Sequence, residues 1–272
     1  MALLQLHHYL FSSIFLLIIS LQLHGCYCFN PKLLNVSKYY QDSNSNWSPA
    51  GATWYGTPNG AGSSGGACGY TSTVERPPYS GMVSSAGPSI YQFGDGCGVC
   101  YEVKCVANEA CSGKPVTVTI TDECPGCPSD EPHFDLSGTS FGAMAKPGRA
   151  GKLRDAGVLN IQYKKVKCNY HGVTVEVRVD AGSNPYYFAS TIEYTDGLGI
   201  ESVKLKERSG EWVSLKQSWG AVWELNAENV LQPPLSLQLI EAQSGDTLIL
   251  NNVIPKGWNP GQTYRSHVNF DN

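Results

Sequence analysis

A chain of 272 residues, 42% hydrophobic and 15% charged, is long enough for one large or two modest domains. Its formal net charge of −4 leaves out the basic surface on which binding to nucleic acid or an anionic membrane depends. Gly 29, Pro 16 and Tyr 15 beside so few charges favour an all-β, turn-rich protein over a helical one.

The first two dozen residues carry no Lys, Arg, Asp or Glu, and Tyr9 to Leu23 form an apolar run. That run is short for a bilayer and ends at "HGCYC", whose small residues suit signal cleavage. Residues 1–28 are therefore read as a removed secretory signal, with an anchored helix as the alternative. A secreted, extracellular chain with no integral membrane span is expected. Residues 29–49 are polar and rich in Ser and Asn, and hold both N-x-S/T acceptors, Asn35 and Asn46. They read as a glycosylated extension.

Residues 50–168 contain every cysteine that remains of the ten once Cys26 and Cys28 leave with the signal. An even set confined to one segment of an exported chain reads as a disulfide framework. Cys97/Cys100 and Cys124/Cys127 are CxxC pairs and could instead bind zinc or work in redox exchange. No histidine pair completes a metal constellation, so no metal or cofactor is expected. "PVTVTITDEC" alternates Val116, Val118 and Ile120 with threonines, predicting a strand with one buried face. Short β runs such as "GVCYEVKCV" between Gly/Pro turns predict a compact barrel, with one helix at "SGTSFGAMA" capped by Ser137.

Residues 169–272 carry no cysteine. Val173, Val175, Val177 and Val179 alternate with polar residues as a one-sided strand. Hairpins are predicted about Ser209-Gly210 and Gly245-Asp246, and a run of short antiparallel strands points to a β-sandwich.

The chemistry-bearing stretch is "EPHFDLSGTSFG". In an extended chain His133 and Asp135 share a face while Phe134 points away. Glycoside hydrolysis generally needs two carboxyl groups, one protonating the leaving oxygen and one activating water or attacking carbon. Asp135 suits the first role, Asp122 a supporting one, and His133 a structural one; Asp95 reads as a turn residue. No Asp or Glu occurs from Ser43 through Val74, where Thr53, Trp54 and Tyr55 precede a Gly/Ser loop. That loop reads as a groove floor on which sugars approach and aromatic faces stack, with core packing the plainer role for Trp54 and Tyr55.

Together "TWYG", "GGACGY", "GCGVCYEVKC", "HFDLSGTSFGAMAKPG" and "GSNPYYFA…SWGAVWEL" resemble the plant β-expansins over essentially all of the chain after the signal. The resemblance implies an all-β protein. Its first part would be a six-stranded double-psi β-barrel related to family 45 endoglucanases. An immunoglobulin-like carbohydrate-binding module would follow. It implies loosening of cell walls by disruption of non-covalent contacts among cellulose, xylan or other matrix glycans, without hydrolysis. Asp135 matches the inherited acid, and Asp122, Thr53 and Tyr55 the polar groove. Gly56 and its acid-free neighbours stand where the related hydrolases carry a base. Ser63 and Ser64 replace loop acids that some members carry.

The family pattern implies disulfides Cys68–Cys97, Cys100–Cys168 and Cys105–Cys111, leaving Cys124 and Cys127 to pair. Tyr187 and Trp219 match the sugar-stacking platform, whereas Trp212, Trp223 and Trp258 read as core or hinge. A polysaccharide-binding monomer is expected. The alternatives are a weak endoglucanase using Asp135 as general acid, with Asp122 or Asp95 as base, and an adhesive lectin-like protein.

Overall fold

The computed structural model describes residues 47–270. The expected signal and both acceptors, Asn35 and Asn46, lie outside the described residues.

Six strands close a barrel: β1 (Ser48–Tyr55), β2 (Val83–Ala86), β3 (Cys100–Cys105), β4 (Val116–Glu123), β5 (His133–Ser137) and β6 (Leu159–Val166). Their order around the barrel is β1-β5-β2-β4-β3-β6. Two pairs, β1–β5 and β2–β4, are parallel and the others antiparallel, the double-psi arrangement expected above. Parallel neighbours require crossover connections, so β1 reaches β5 only through three intervening strands. Ala52, Val83, Val103, Val118, Ile120, Phe134 and Leu136 fill the interior without exposure.

β4 corrects the expectation of a single buried face. Thr119 and Thr121 are buried along with Val118 and Ile120. The outer face is covered because the Thr119 hydroxyl meets the Tyr170 hydroxyl at 3.3 Å and the Thr121 carbonyl accepts from the Cys68 N–H at 3.3 Å. Three short helices occur rather than one: α1 (Pro88–Tyr91), α2 (Gly138–Ala143) and α3 (Ala150–Asp155). Ser137 does cap α2, its hydroxyl accepting from the Ser140 N–H at 3.0 Å. The other two are four and six residues long, too short for a 3.6-residue period to register.

Four disulfides join Cys68 to Cys97, Cys100 to Cys168, Cys105 to Cys111 and Cys124 to Cys127. With these sulfurs paired, no cluster of three or more His, Cys, Asp or Glu among the described residues could hold a metal ion.

Nine further strands follow: β7 (Glu176–Val179), β8 (Tyr187–Glu193), β9 (Ile200–Lys206), β10 (Val213–Ser214), β11 (Lys216–Trp219), β12 (Val222–Asn226), β13 (Leu235–Glu241), β14 (Thr247–Ile254) and β15 (Thr263–Arg265). They form a four-stranded sheet, β10-β9-β13-β14, and a five-stranded sheet, β11-β12-β8-β7-β15. Between them lie Val177, Val179, Phe188, Val203, Leu205, Leu235, Leu237, Leu239 and Leu250, the alternate residues of their strands.

Val213 opposite Leu205 centres one hairpin on Ser209, as expected. Ile240 opposite Thr247 centres the other on Gln243 and Ser244, two residues before the predicted Gly245-Asp246. Buried Glu241 draws the turn in by accepting from the Ser244 N–H at 3.2 Å and the Leu198 N–H at 2.9 Å.

Barrel and sandwich meet through residues that the sequence did not mark. Tyr70 and Tyr79 from the barrel segment pack with Tyr170 and Tyr194, ring centroids 4.9–5.8 Å apart. Beside them Arg178 donates to the Glu193 carboxylate at 3.2 Å and to the Gly69 carbonyl at 2.6 Å, while Thr73 donates to Glu193 at 2.7 Å.

Candidate functional site

Parallel pairing of β1 and β5 sets Gly51 opposite His133 and Thr53 opposite Asp135. Period-two alternation then places Thr53, His133 and Asp135 on one face, with Phe134 and Leu136 turned into the barrel. The Thr53 hydroxyl donates to Asp135 Oδ1 at 2.6 Å and lies 3.1 Å from His133 Nε2. Because a hydroxyl has one proton to give, His133 Nε2 is the N–H that donates to Thr53. A directed chain therefore runs from imidazole through hydroxyl to carboxylate.

Burial pushes the Asp135 carboxyl above its ordinary value, opposed by the Thr53 hydrogen bond and His133 and reinforced by the charge of Asp122. Burial likewise lowers His133, against the pull of Asp135 and Glu131. A raised carboxyl favours the fold below its ordinary pKa, and that contribution is lost as pH rises through the folded value. Thr53→Ala removes the donor that counters burial. It is expected to raise Asp135 further and to cost more stability at neutral than at acid pH. A carbon-13 titration of the Asp135 carboxyl checks this, and an unchanged or lowered midpoint refutes it.

Asp122 ends β4 next to this group. Its Oδ1 accepts from the backbone N–H of Ala67 at 2.7 Å and of Glu123 at 2.8 Å. Tyr55 stands on the same face of β1 as Thr53. Its phenol oxygen is buried beside Ser63 and Asp122 without reaching hydrogen-bond geometry with either. Burial, then Asp122, push that phenol well above its usual range. Gly62, at φ +84°, lets the Gly/Ser loop lie on the Tyr55 ring, where an added Cβ would fall 2.3 Å from Cζ.

Trp54 points to the other face. Its indole N–H donates to the Arg154 carbonyl at 3.1 Å and its ring lies 6.5 Å from Phe141, so it holds α2 and α3 against β1. Asp95 closes a turn after α1 and lines a small crevice with Gln217 and Trp223. It is not among the charges acting on Asp135.

In the sandwich, Trp219 is 52% exposed on β11. Its ring abuts Gly69, where φ is +82° and a Cβ would fall 2.9 Å away. The segment Ala67–Gly69 thus touches Asp122 at one end and Trp219 at the other. Tyr187 is half-buried, its hydroxyl donating to Glu224 at 2.9 Å, and the neighbouring Tyr186 is 55% exposed. Sequence reasoning singled out Tyr187 and passed over Tyr186; exposure depends on which face of β8 the pair ends on. Trp223 is buried and Trp258 packs 6.1 Å from Phe188. Trp212, read as core or hinge, instead lines the outer face of the four-stranded sheet.

A closed double-psi barrel bearing one acid relay, joined to a two-sheet module with exposed aromatics, has the architecture of a two-domain expansin. A crystal structure of a Clavibacter michiganensis expansin aligns over 84% of this chain and 99% of its own, with a TM-score of 0.62 and 24% identity. An aspartate-to-asparagine variant of that protein, crystallised with cellohexaose, aligns with a TM-score of 0.63 and 23% identity over the same shares. The family described as expansin C-terminal domain matches residues 175–255, and the barrel family described as lytic transglycolase matches residues 83–163. Expansin-B11 of Oryza sativa subsp. japonica is 54% identical over 82% of this chain and 78% of its own. Expansin-B6 of Arabidopsis thaliana is 42% identical over 97% of this chain and 98% of its own. The chain belongs to the expansin-B family.

Proposed function

We propose that this expansin is a secreted, monomeric wall-loosening protein that binds polysaccharide and disrupts non-covalent contacts between glycans without cleaving them. The observation that carries the reading is the solitary relay at Asp135. The carboxylate acting on it, Asp122, has Oδ1 tied to two backbone N–H groups, and the neighbouring Gly/Ser loop supplies no acid. A hydrolase needs a second carboxyl group with room to activate water or attack carbon.

Domain 50–168 then supplies Thr53, Tyr55, Asp122, His133 and Asp135 to sugar hydroxyls, and module 169–272 supplies Trp219 and Tyr187 as stacking faces. Trp54 supports the groove from behind. Residues 1–28 are the export signal, and Asn35 and Asn46 carry glycans on the extension. Binding energy spread over both domains offsets the cost of parting one glycan from its neighbour, a shift of population. Cello-oligosaccharide binding by the Clavibacter michiganensis relative accords with this reading.

The test is extension of isolated walls under constant load, with reducing ends assayed in parallel. Creep without new ends is expected. A steady release of ends would establish the endoglucanase alternative with Asp135 as acid.

A further inference from the structure

The platform residues lie on the outer face of the five-stranded sheet, yet the opposite outer face of the sandwich also holds a cleft. It is open, encloses about 560 Å³, and is lined by Lys206, Arg208, Trp212, Ser236, Asn251 and Asn252 among others. Lys206 and Arg208 follow β9, whose inward residues Val203 and Leu205 are buried, so the alternating Lys206 faces out. The Lys206 ammonium stands 5.9 Å from the Trp212 ring centroid.

The acid of this cleft is withdrawn: the Glu207 carboxylate accepts the Gln232 N–H at 2.5 Å. Among the described residues neither Lys206 nor Arg208 is in an ion pair. One end of the cleft is thus a flat indole beside two uncompensated cations. The other end is neutral, with exposed Asn251 and Asn252 amides and Ile249.

We infer that this cleft is a second glycan site, which takes a chain that is neutral apart from one uronate. The pyranose face stacks on Trp212, the carboxylate pairs with Lys206 and Arg208, and neutral hydroxyls meet Asn251 and Asn252. A polyuronate fits less well, because it repeats its charge at every residue while the cations stand only at one end. The site is independent of the Asp135 groove. It would anchor the protein on one polymer while the groove and platform hold another.

Calorimetric titration of the full chain provides the test, with a xylo-oligosaccharide bearing one glucuronate as probe. Reducing that carboxylate to an alcohol is expected to weaken binding at least about tenfold, as is the surface double variant K206Q/R208Q. Affinity for a cello-oligosaccharide should stay the same in K206Q/R208Q, and raised salt should weaken only the uronate complex. Equal binding of the reduced probe, or an unaffected K206Q/R208Q protein, overturns the site. Loss of uronate binding in Trp219→Ala would move the ligand to the platform and also overturn it. A galacturonate tetramer binding as tightly through the same cations would overturn the assignment of a single uronate. None of these results alters the creep assay, so this site and the groove stand or fall separately.

Discussion

Asp135→Asn is expected to remove wall extension while leaving the fold in place. The amide oxygen of Asn can still accept the Thr53 hydroxyl that now donates to Asp135 at 2.6 Å, so the relay keeps its geometry and loses its charge. A hydrogen bond to a charged group is worth about 1.5–3 kcal/mol, so affinity at the groove should fall roughly 10- to 100-fold. Pull-down on insoluble wall glycan and creep under load measure the loss. Thermal unfolding should move by only a few degrees. Full creep activity in the variant would show that the acid is a relic, as the lectin-like alternative requires.

Arg178→Ala is expected to be the most damaging single change at the junction. Glu193 is 2% exposed and raised above its ordinary pKa, chiefly by burial, with Thr73 and Arg178 opposing the rise. Removing one partner of a buried ion pair costs about 3–5 kcal/mol, because the remaining charge is left without compensation. The same change also takes the donor from the Gly69 carbonyl, beside the Trp219 ring. The cost carries a pH sign. A carboxyl raised further by loss of Arg178 is protonated in the folded state at mildly acid pH, so the penalty shrinks there and grows toward neutrality. Urea unfolding at pH 5 and pH 7 should therefore separate the two proteins more at pH 7. A loss under about 1 kcal/mol, equal at both values, would show that the pair contributes little.

Much of the architecture was legible because it rests on short-range rules. Alternation at Val175, Val177 and Val179 states which side chains face a core, and Ser137 announces the start of α2 three residues before its bond to Ser140. The acid-free run from Ser43 through Val74 is a compositional fact, and it removes a loop carboxylate before any coordinates are known. His133 and Asp135, two apart in an extended segment, had to share a face.

Pairing across distant segments was not legible. That Thr53 meets Asp135, 82 positions away, follows from the parallel register of β1 and β5, which local pattern does not encode. Burial of Thr119 and Thr121 follows from what a second domain lays over β4, as does the Tyr70, Tyr79, Tyr170 and Tyr194 cluster. The sequence by itself determined the alternation of faces, the polar groove residues and the want of an acid in its loop, since these depend on neighbours within a few positions. Only the tertiary structure decided the direction of the hydroxyl relay, the facing of Trp54 and Trp212, and the seam that brings Trp219 to the barrel. Each of those depends on where chain closure sets surfaces that begin far apart.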